Sequence, residues 1–163
     1  MIFVTVGTQL PFDRLIKLVD DWAKNHPNKE IIVQAGSCGF EPSQCELKGF
    51  ISASEWEALF LSAELVVAHA GMGTIIKCID AGKPLIVMPR RADLNEHRND
   101  HQLATVGQLK EVENIVIVQN ERELNDALNN PPLTLDNNLK PENEKLTMLI
   151  NEIKSFIGVE SHV

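Results

Sequence analysis

Val66-Val67-Ala68-His69-Ala70-Gly71-Met72-Gly73-Thr74 joins an unbroken apolar run to a glycine-rich turn. Three of its first residues are valine or alanine with no polar alternation, as in a strand covered on both faces. A helix is expected after the turn, from about Gly73 to Ala81, and Gly82-Lys83-Pro84 has the residues that end helices. Outward from this unit the same pattern repeats. Apolar strands are expected at Ile2 to Val6, Glu30 to Gln34, Glu64 to Ala68, Pro84 to Met88 and Ile115 to Val118, with a short apolar piece at Leu47 to Ile51. Between them, helical spacing runs from Asp13 to Lys24, Asn95 to Lys110 and Glu121 to Leu128. Ser54 and Glu57 read as a capping box for a further helix through Phe60. Strand and helix in alternation predict an α/β fold, a doubly wound parallel sheet of Rossmann-like type.

The chain has 163 residues, the size of one domain, and residues 1–163 are read as one. Residues 129–140, rich in Asn and Pro, read as a linker to a last amphipathic helix at 141–157. Self-packing is the preferred fate of that helix, and contact with a partner is the alternative. Hydrophobic residues make up 44% and charged residues 23%, which excludes a disordered chain or a coiled coil. The net charge of −8 argues against nonspecific nucleic-acid binding but leaves room for one phosphate in a local site. Cys38, Cys45 and Cys78 have no CxxC spacing, so reduced cytoplasmic thiols are expected, without a disulfide or zinc framework. The first residues lack the basic region of a signal peptide, and no apolar run is long enough to span a bilayer.

In doubly wound folds ligands bind where strand ends meet helix starts, so the loops after Val6, Gln34, Ala68 and Met88 carry the candidates. Gly71, Met72, Gly73 and Thr74 can bring backbone N–H groups, a helix N-terminus and a hydroxyl to a phosphate. A plain tight turn explains the same glycines. Gly7, Thr8 and Gln9 end the first strand and should lie on the same edge. Residues 89–102 are dense in hydrogen-bonding groups, and Asp100 and Gln102 suit sugar hydroxyls. Asp93, Glu96, His97 and His101 could suggest a metal, but ligands bunched on one segment more often form a solvated face, so none is expected. His69 is a candidate base or, more commonly for a histidine at a buried strand end, an orienting group.

Three segments together, IFVTVGTQLPFDRLI, HAGMGTIIKCIDAGKPLIVMPR and EHRNDHQLAT, resemble the C-terminal domain of glycosyltransferase family twenty-eight. More narrowly, the chain is similar to stand-alone donor-binding subunits of bacterial exopolysaccharide glycosyltransferases. It is also similar to the catalytic subunit of the dolichol-linked N-acetylglucosaminyltransferase. The resemblance implies the C-terminal half of a GT-B enzyme that binds a UDP-sugar without metal or cofactor. Gly7, Thr8, Gln9, His69, Gly71, Met72, Gly73 and Thr74 would then hold the diphosphate, and Asp100, His101 and Gln102 would meet the sugar. Related proteins often carry an acidic residue three positions after the Ser/Thr of the turn, for the ribose. Lys77 stands there in this chain, with Asp80 one turn further on.

A GT-B enzyme has two such domains and this chain has strands for one. The resemblance therefore implies a heterodimer with a membrane-anchored acceptor-binding subunit and a lipid-linked acceptor. The chain would be cytoplasmic and peripheral at the membrane through that partner. The competing reading is a non-catalytic nucleotide-sugar sensor or scaffold, which Lys77 favours. A nucleotide-sugar epimerase would need both halves and paired cleft carboxylates.

Overall fold

A computed structural model describes residues 1–8, 10–97, 106–107, 109 and 112–135. Its strands are β1 (Ile2–Thr5), β2 (Ile31–Gln34), β3 (Glu46–Lys48), β4 (Leu65–His69), β5 (Leu85–Met88) and β6 (Ile115–Ile117). Its α-helices are α1 (Asp13–Ala23), α2 (Ala53–Ser62), α3 (Met72–Asp80) and α4 (Glu121–Asn129). The strands form one six-stranded sheet in the order β3-β2-β1-β4-β5-β6, and each pair is parallel. The expected doubly wound sheet is therefore present.

Side chains that alternate along each strand serve two different cores. Ile2, Val4, Val67 and Ile86 pack with Leu15, Ile16 and Val19 of α1 and Leu124 of α4. Phe3, Val66 and Val87 pack with Phe60 of α2 and Ile75 and Cys78 of α3. This is why β1, β4 and β5 carry no polar alternation: both their faces are covered, whereas β3 at the sheet edge is largely exposed. On the first face, Trp22 Nε1 also donates to Asn129 Oδ1 at 3.0 Å, tying α1 to α4. On the sheet's outer flank, the buried Asp20 carboxylate accepts from the Gln44 amide at 2.6 Å and holds the approach to β3.

Two sequence expectations change. The cap of α2 is Ser52, not Ser54: Ser52 Oγ accepts from the Glu55 N–H at 3.1 Å, so the helix starts at Ala53. The short apolar piece at Leu47 to Ile51 overlaps a strand, Glu46–Lys48, and Gly49 to Ile51 lie outside that strand. The helix expected from Asn95 to Lys110 does not begin at Asn95, and residues 98–105, 108 and 110 of that span lie outside the described residues. A 3₁₀ turn spans Ala92–Leu94, and Asn95 closes it with φ 58°, a left-handed conformation that asparagine tolerates better than most residues. Asn129 belongs to α4 and the Leu135 N–H donates to the Gly82 carbonyl at 2.9 Å. Residues 136–140 and the helix expected at 141–157 lie outside the described residues. Among the described residues no helix is long and apolar enough to cross a membrane.

Ile86 is fully buried in the fifth strand. Ile86→Ala is expected to cost about 2–5 kcal/mol, because the sheet cannot collapse into the space the side chain leaves. Urea denaturation checks this: the midpoint should fall while the slope stays unchanged.

Candidate functional site

The winding direction reverses between β1 and β4, which lie side by side in the sheet. The chain leaves β1 for α1 on one face and leaves β4 for α3 on the other. The two loops therefore part and open a crevice at the carboxyl ends of the strands. Gly7 forms one lip, with φ 74°, a conformation costly for any residue with a Cβ. On the other lip α3 begins at Met72, with Gly71 as its cap and no side chain capping it. The first bond of that helix runs from the Ile75 N–H to the Gly71 carbonyl at 3.2 Å. The amides of Met72, Gly73 and Thr74 precede it and sit at the positive end of the helix.

His69 sets the width of the crevice. A Cβ on Gly7 would stand 3.0 Å from His69 Cε1, and one on Gly71 would drive into the same imidazole. The ring is thus wedged between the two lips and admits only glycine on either side. Burial, with the nearby Arg90 charge, pushes the His69 pKa down to about 4. The imidazole is neutral at physiological pH, and its Nδ1 is buried without a hydrogen-bond partner among the described residues.

The floor is a polar network unusual for so apolar a sheet. Thr5 Oγ1 donates to Gln34 Oε1 at 2.7 Å and accepts from Trp56 Nε1 at 3.3 Å. Gln34 Nε2 reaches the Gly7 carbonyl at 3.4 Å. Behind the β1 lip, Arg90 is only 3% exposed and donates to the carbonyls of Val6 at 2.7 Å, Leu10 at 2.6 Å and Pro11 at 2.5 Å. Arg14 grips Glu96 through both carboxylate oxygens, at 2.6 and 2.8 Å, and so anchors the loop after β5.

The structure therefore brings together Gly7, Thr8, His69, Gly71, Met72, Gly73 and Thr74. The Met72 side chain packs on the α2–α3 core, which leaves its amide for the crevice. A Cβ at Gly73 would meet nothing within 4 Å, so this position at the start of α3 is open. Gln9, Asp100, His101 and Gln102 lie outside the described residues. Lys77 pairs with Glu57 and lies over the Trp56 ring at 5.0 Å, so its ammonium is directed onto α2. Asp80 ends α3, roughly 10 Å along the axis from Gly73. Among the described residues no group of three His, Cys, Asp or Glu could hold a metal. Asp93 pairs with Arg91 and Glu96 with Arg14.

Two residues escaped the sequence reading. Arg90 lies in the polar stretch 89–102, where nothing in the sequence sets it apart from Arg91 beside it. Phe50 reads in the sequence only as part of the short apolar piece Leu47 to Ile51. Its ring is 72% exposed and lies against Gly36, whose Cβ position is 3.0 Å from Phe50 Cε1 and from Thr8 Cα. An exposed aromatic at the rim of a crevice is the kind of group on which a planar ligand stacks.

Residues 1–157 match the family profile of the glycosyltransferase family 28 C-terminal domain. The chain is 31% identical over 91 residues to the "UDP-N-acetylglucosamine transferase subunit ALG13" of Candida albicans. That alignment covers 56% of this chain and 29% of the Candida protein, so it spans under a third of the relative's length. An NMR solution structure of ALG13 superposes with a TM-score of 0.60 at 18% identity, covering 93% of this chain and 96% of that one. The crystal structure of Acinetobacter baumannii MurG gives 0.52 at 16% identity, with 94% of this chain and 44% of MurG covered. The glycotransferase of kitacinnamycin gives 0.54 at 19% identity, with 94% and 39% covered. At these identities the structures show the shared fold, that of the C-terminal domain of GT-B glycosyltransferases.

The depressed His69 pKa has a consequence for stability. Between pH 6.5 and about 4 the unfolded chain binds a proton at His69 that the folded chain refuses, so stability falls as pH falls through that window. The loss amounts to at most about 3 kcal/mol. His69→Gln should flatten this part of the pH dependence. Urea midpoints of both proteins at pH 7 and pH 4.5 give the comparison, and equal pH slopes would refute it.

Proposed function

We propose that this chain, which belongs to the glycosyltransferase family 28 C-terminal domain family, binds a UDP-sugar across the β1/β4 crevice and presents it for transfer. The observation that carries this reading is the uncapped start of α3 facing the left-handed Gly7 loop, with a neutral His69 wedged between them. A diphosphate is the ligand such a pair of lips suits. Its oxygens accept from the Met72, Gly73 and Thr74 amides and from the Thr74 hydroxyl, and the helix dipole favours its charge. Gly7, Thr8 and Gln9 close on it from the other lip. Phe50 stacks on the uracil. Asp100, His101 and Gln102 meet the sugar hydroxyls.

Transfer breaks the bond between the anomeric carbon and the diphosphate as the acceptor oxygen forms a new one. Fixed N–H groups aimed at the departing diphosphate lower that barrier without metal assistance. His69 is neutral and enclosed, so it orients the lips and leaves deprotonation of the acceptor hydroxyl to a base outside this sheet. Acceptor and anomeric carbon must meet within about 3–3.5 Å in line with the leaving group, which requires a facing wall. A membrane-anchored acceptor-binding subunit supplies that wall and the base, and holds this cytoplasmic chain at the membrane. The acceptor is a lipid-linked sugar of exopolysaccharide synthesis. The Candida relative's description as a transferase subunit supports a divided enzyme. In this arrangement residues 1–163 act as one nucleotide-sugar-binding domain with the helix 141–157 carried beyond the 129–140 linker.

Lys77 favours a second reading. A cation paired to Glu57 stands where relatives often hold ribose with a carboxylate, and a sensor or scaffold needs less exact sugar placement than a transferase.

Gly73→Val tests the site. The side chain has open space in the free protein, so the variant should fold, yet it fills the place of the phosphate. Calorimetry should show UDP binding lost, and an unchanged affinity would sink the assignment. Turnover distinguishes the two readings. Radiolabelled UDP-sugar should pass to membrane lipid only when an acceptor subunit is co-expressed. Robust transfer by the isolated chain would refute the divided enzyme, and binding without transfer under every pairing would favour the sensor.

A further inference from the structure

Arg90 is a buried guanidinium that donates to carbonyls of the segment after β1. Burying a cation is costly unless its donors are satisfied, so such a residue is kept for what it holds. Nη2 takes the Val6 and Leu10 carbonyls and Nη1 takes those of Pro11 and, at 3.3 Å, Glu96. The guanidinium also lies over the Phe12 ring, 4.9 Å from its centroid. Val6, Leu10 and Pro11 bracket the Gly7–Thr8 lip from both ends.

The Gly7 carbonyl is also turned inward, accepting from the Gly36 N–H at 3.3 Å and from Gln34 Nε2 at 3.4 Å. The carbonyls of Val6, Gly7, Leu10 and Pro11 are thus all committed to interior donors. Successive peptide units cannot aim both ends at the crevice, so gathering the carbonyls inward leaves N–H groups to face outward. That is the condition for a backbone anion site, which lone carbonyl oxygens would repel.

We infer that Arg90 is a positioning residue for the diphosphate: from behind the β1–α1 loop it gathers the loop's carbonyls and so presents the Gly7 and Thr8 amides to the ligand. Its charge lies on the same side, beneath the loop, and adds a favourable field for the dianion without touching it. The inference rests on the crevice being the nucleotide-diphosphate site proposed above. Lysine cannot replace the arginine in this role. One ammonium has three donors at a single point, while the guanidinium spans acceptors at both ends of the loop.

The test uses the full chain. UDP is titrated into the parent protein and into Arg90→Lys by calorimetry, and main-chain amide shifts are followed by NMR in the same samples. We expect Arg90→Lys, folded at the assay temperature, to bind UDP at least tenfold more weakly. Shifts induced by UDP should disappear at Gly7 and Thr8 but persist at Gly73 and Thr74, because the helix lip does not depend on Arg90. A role in folding alone would lower the unfolding midpoint and leave affinity and both sets of shifts intact, which overturns the inference. Arg90→Gln, shorter and uncharged, serves in the same measurements if Arg90→Lys does not fold. Absence of UDP binding by the parent protein would overturn the site and this inference together. Equal binding by parent and variant overturns the inference alone.

Discussion

The reversal of winding between β1 and β4 is the constraint from which the site follows. Both strands are interior, paired in register on each side, so neither can shift without breaking two ladders. Ile2 stands opposite both Ile31 and Leu65, and Thr5 opposite both Gln34 and Ala68. The two loops leaving these strands are therefore fixed at their roots by that register. What remains adjustable is the gap between them, and the His69 imidazole fills it to the limit that glycine allows on both sides.

The electrostatics explain how an acidic chain can offer an anion site. A net charge of −8 repels anions at long range, but the crevice is shaped by local dipoles and nearby cations. The α3 N-terminus, the inward-turned carbonyls of the β1–α1 loop and the buried Arg90 all bias this edge of the sheet toward negative ligands. Two carboxylates of the segment after β5 are already paired: Glu96 with Arg14 and Asp93 with Arg91. Global charge and local potential are set by different residues, and they need not agree in sign.

The fold was legible because its signals are dense and redundant. Five apolar runs of similar length, separated by turns and helical stretches, admit few arrangements other than a parallel sheet with helices on both faces. The glycine-rich lips were legible for a similar reason, since Gly7, Gly71 and Gly73 follow strands directly. Errors arose where a single residue decides. Ser52 and Ser54 have the same chemistry, and only the path of the preceding loop selects the first as the cap. Asn95 sits in a run with helical spacing, yet the Arg14–Glu96 pair fixes the segment beside it in another conformation. Arg90 was illegible as a site residue because its partners are carbonyls, which every residue has. No sequence pattern marks which of them will converge on one side chain.

The central place of β1 also dictates the order in which the chain can assemble. Residues 2–5 pair with residues 65–68, more than sixty positions later, and the intervening segment must be in place before that ladder closes. During synthesis the first strand waits, apolar on both faces, until the fourth has emerged. Pairing with β2 can begin earlier, but it covers only one edge. Contacts so distant along the chain make for slow closure, and an early strand left half-paired is an opening for association between copies. The same arrangement that puts two loops beside each other at a ligand therefore hands the nascent chain to whatever can shield its first five residues.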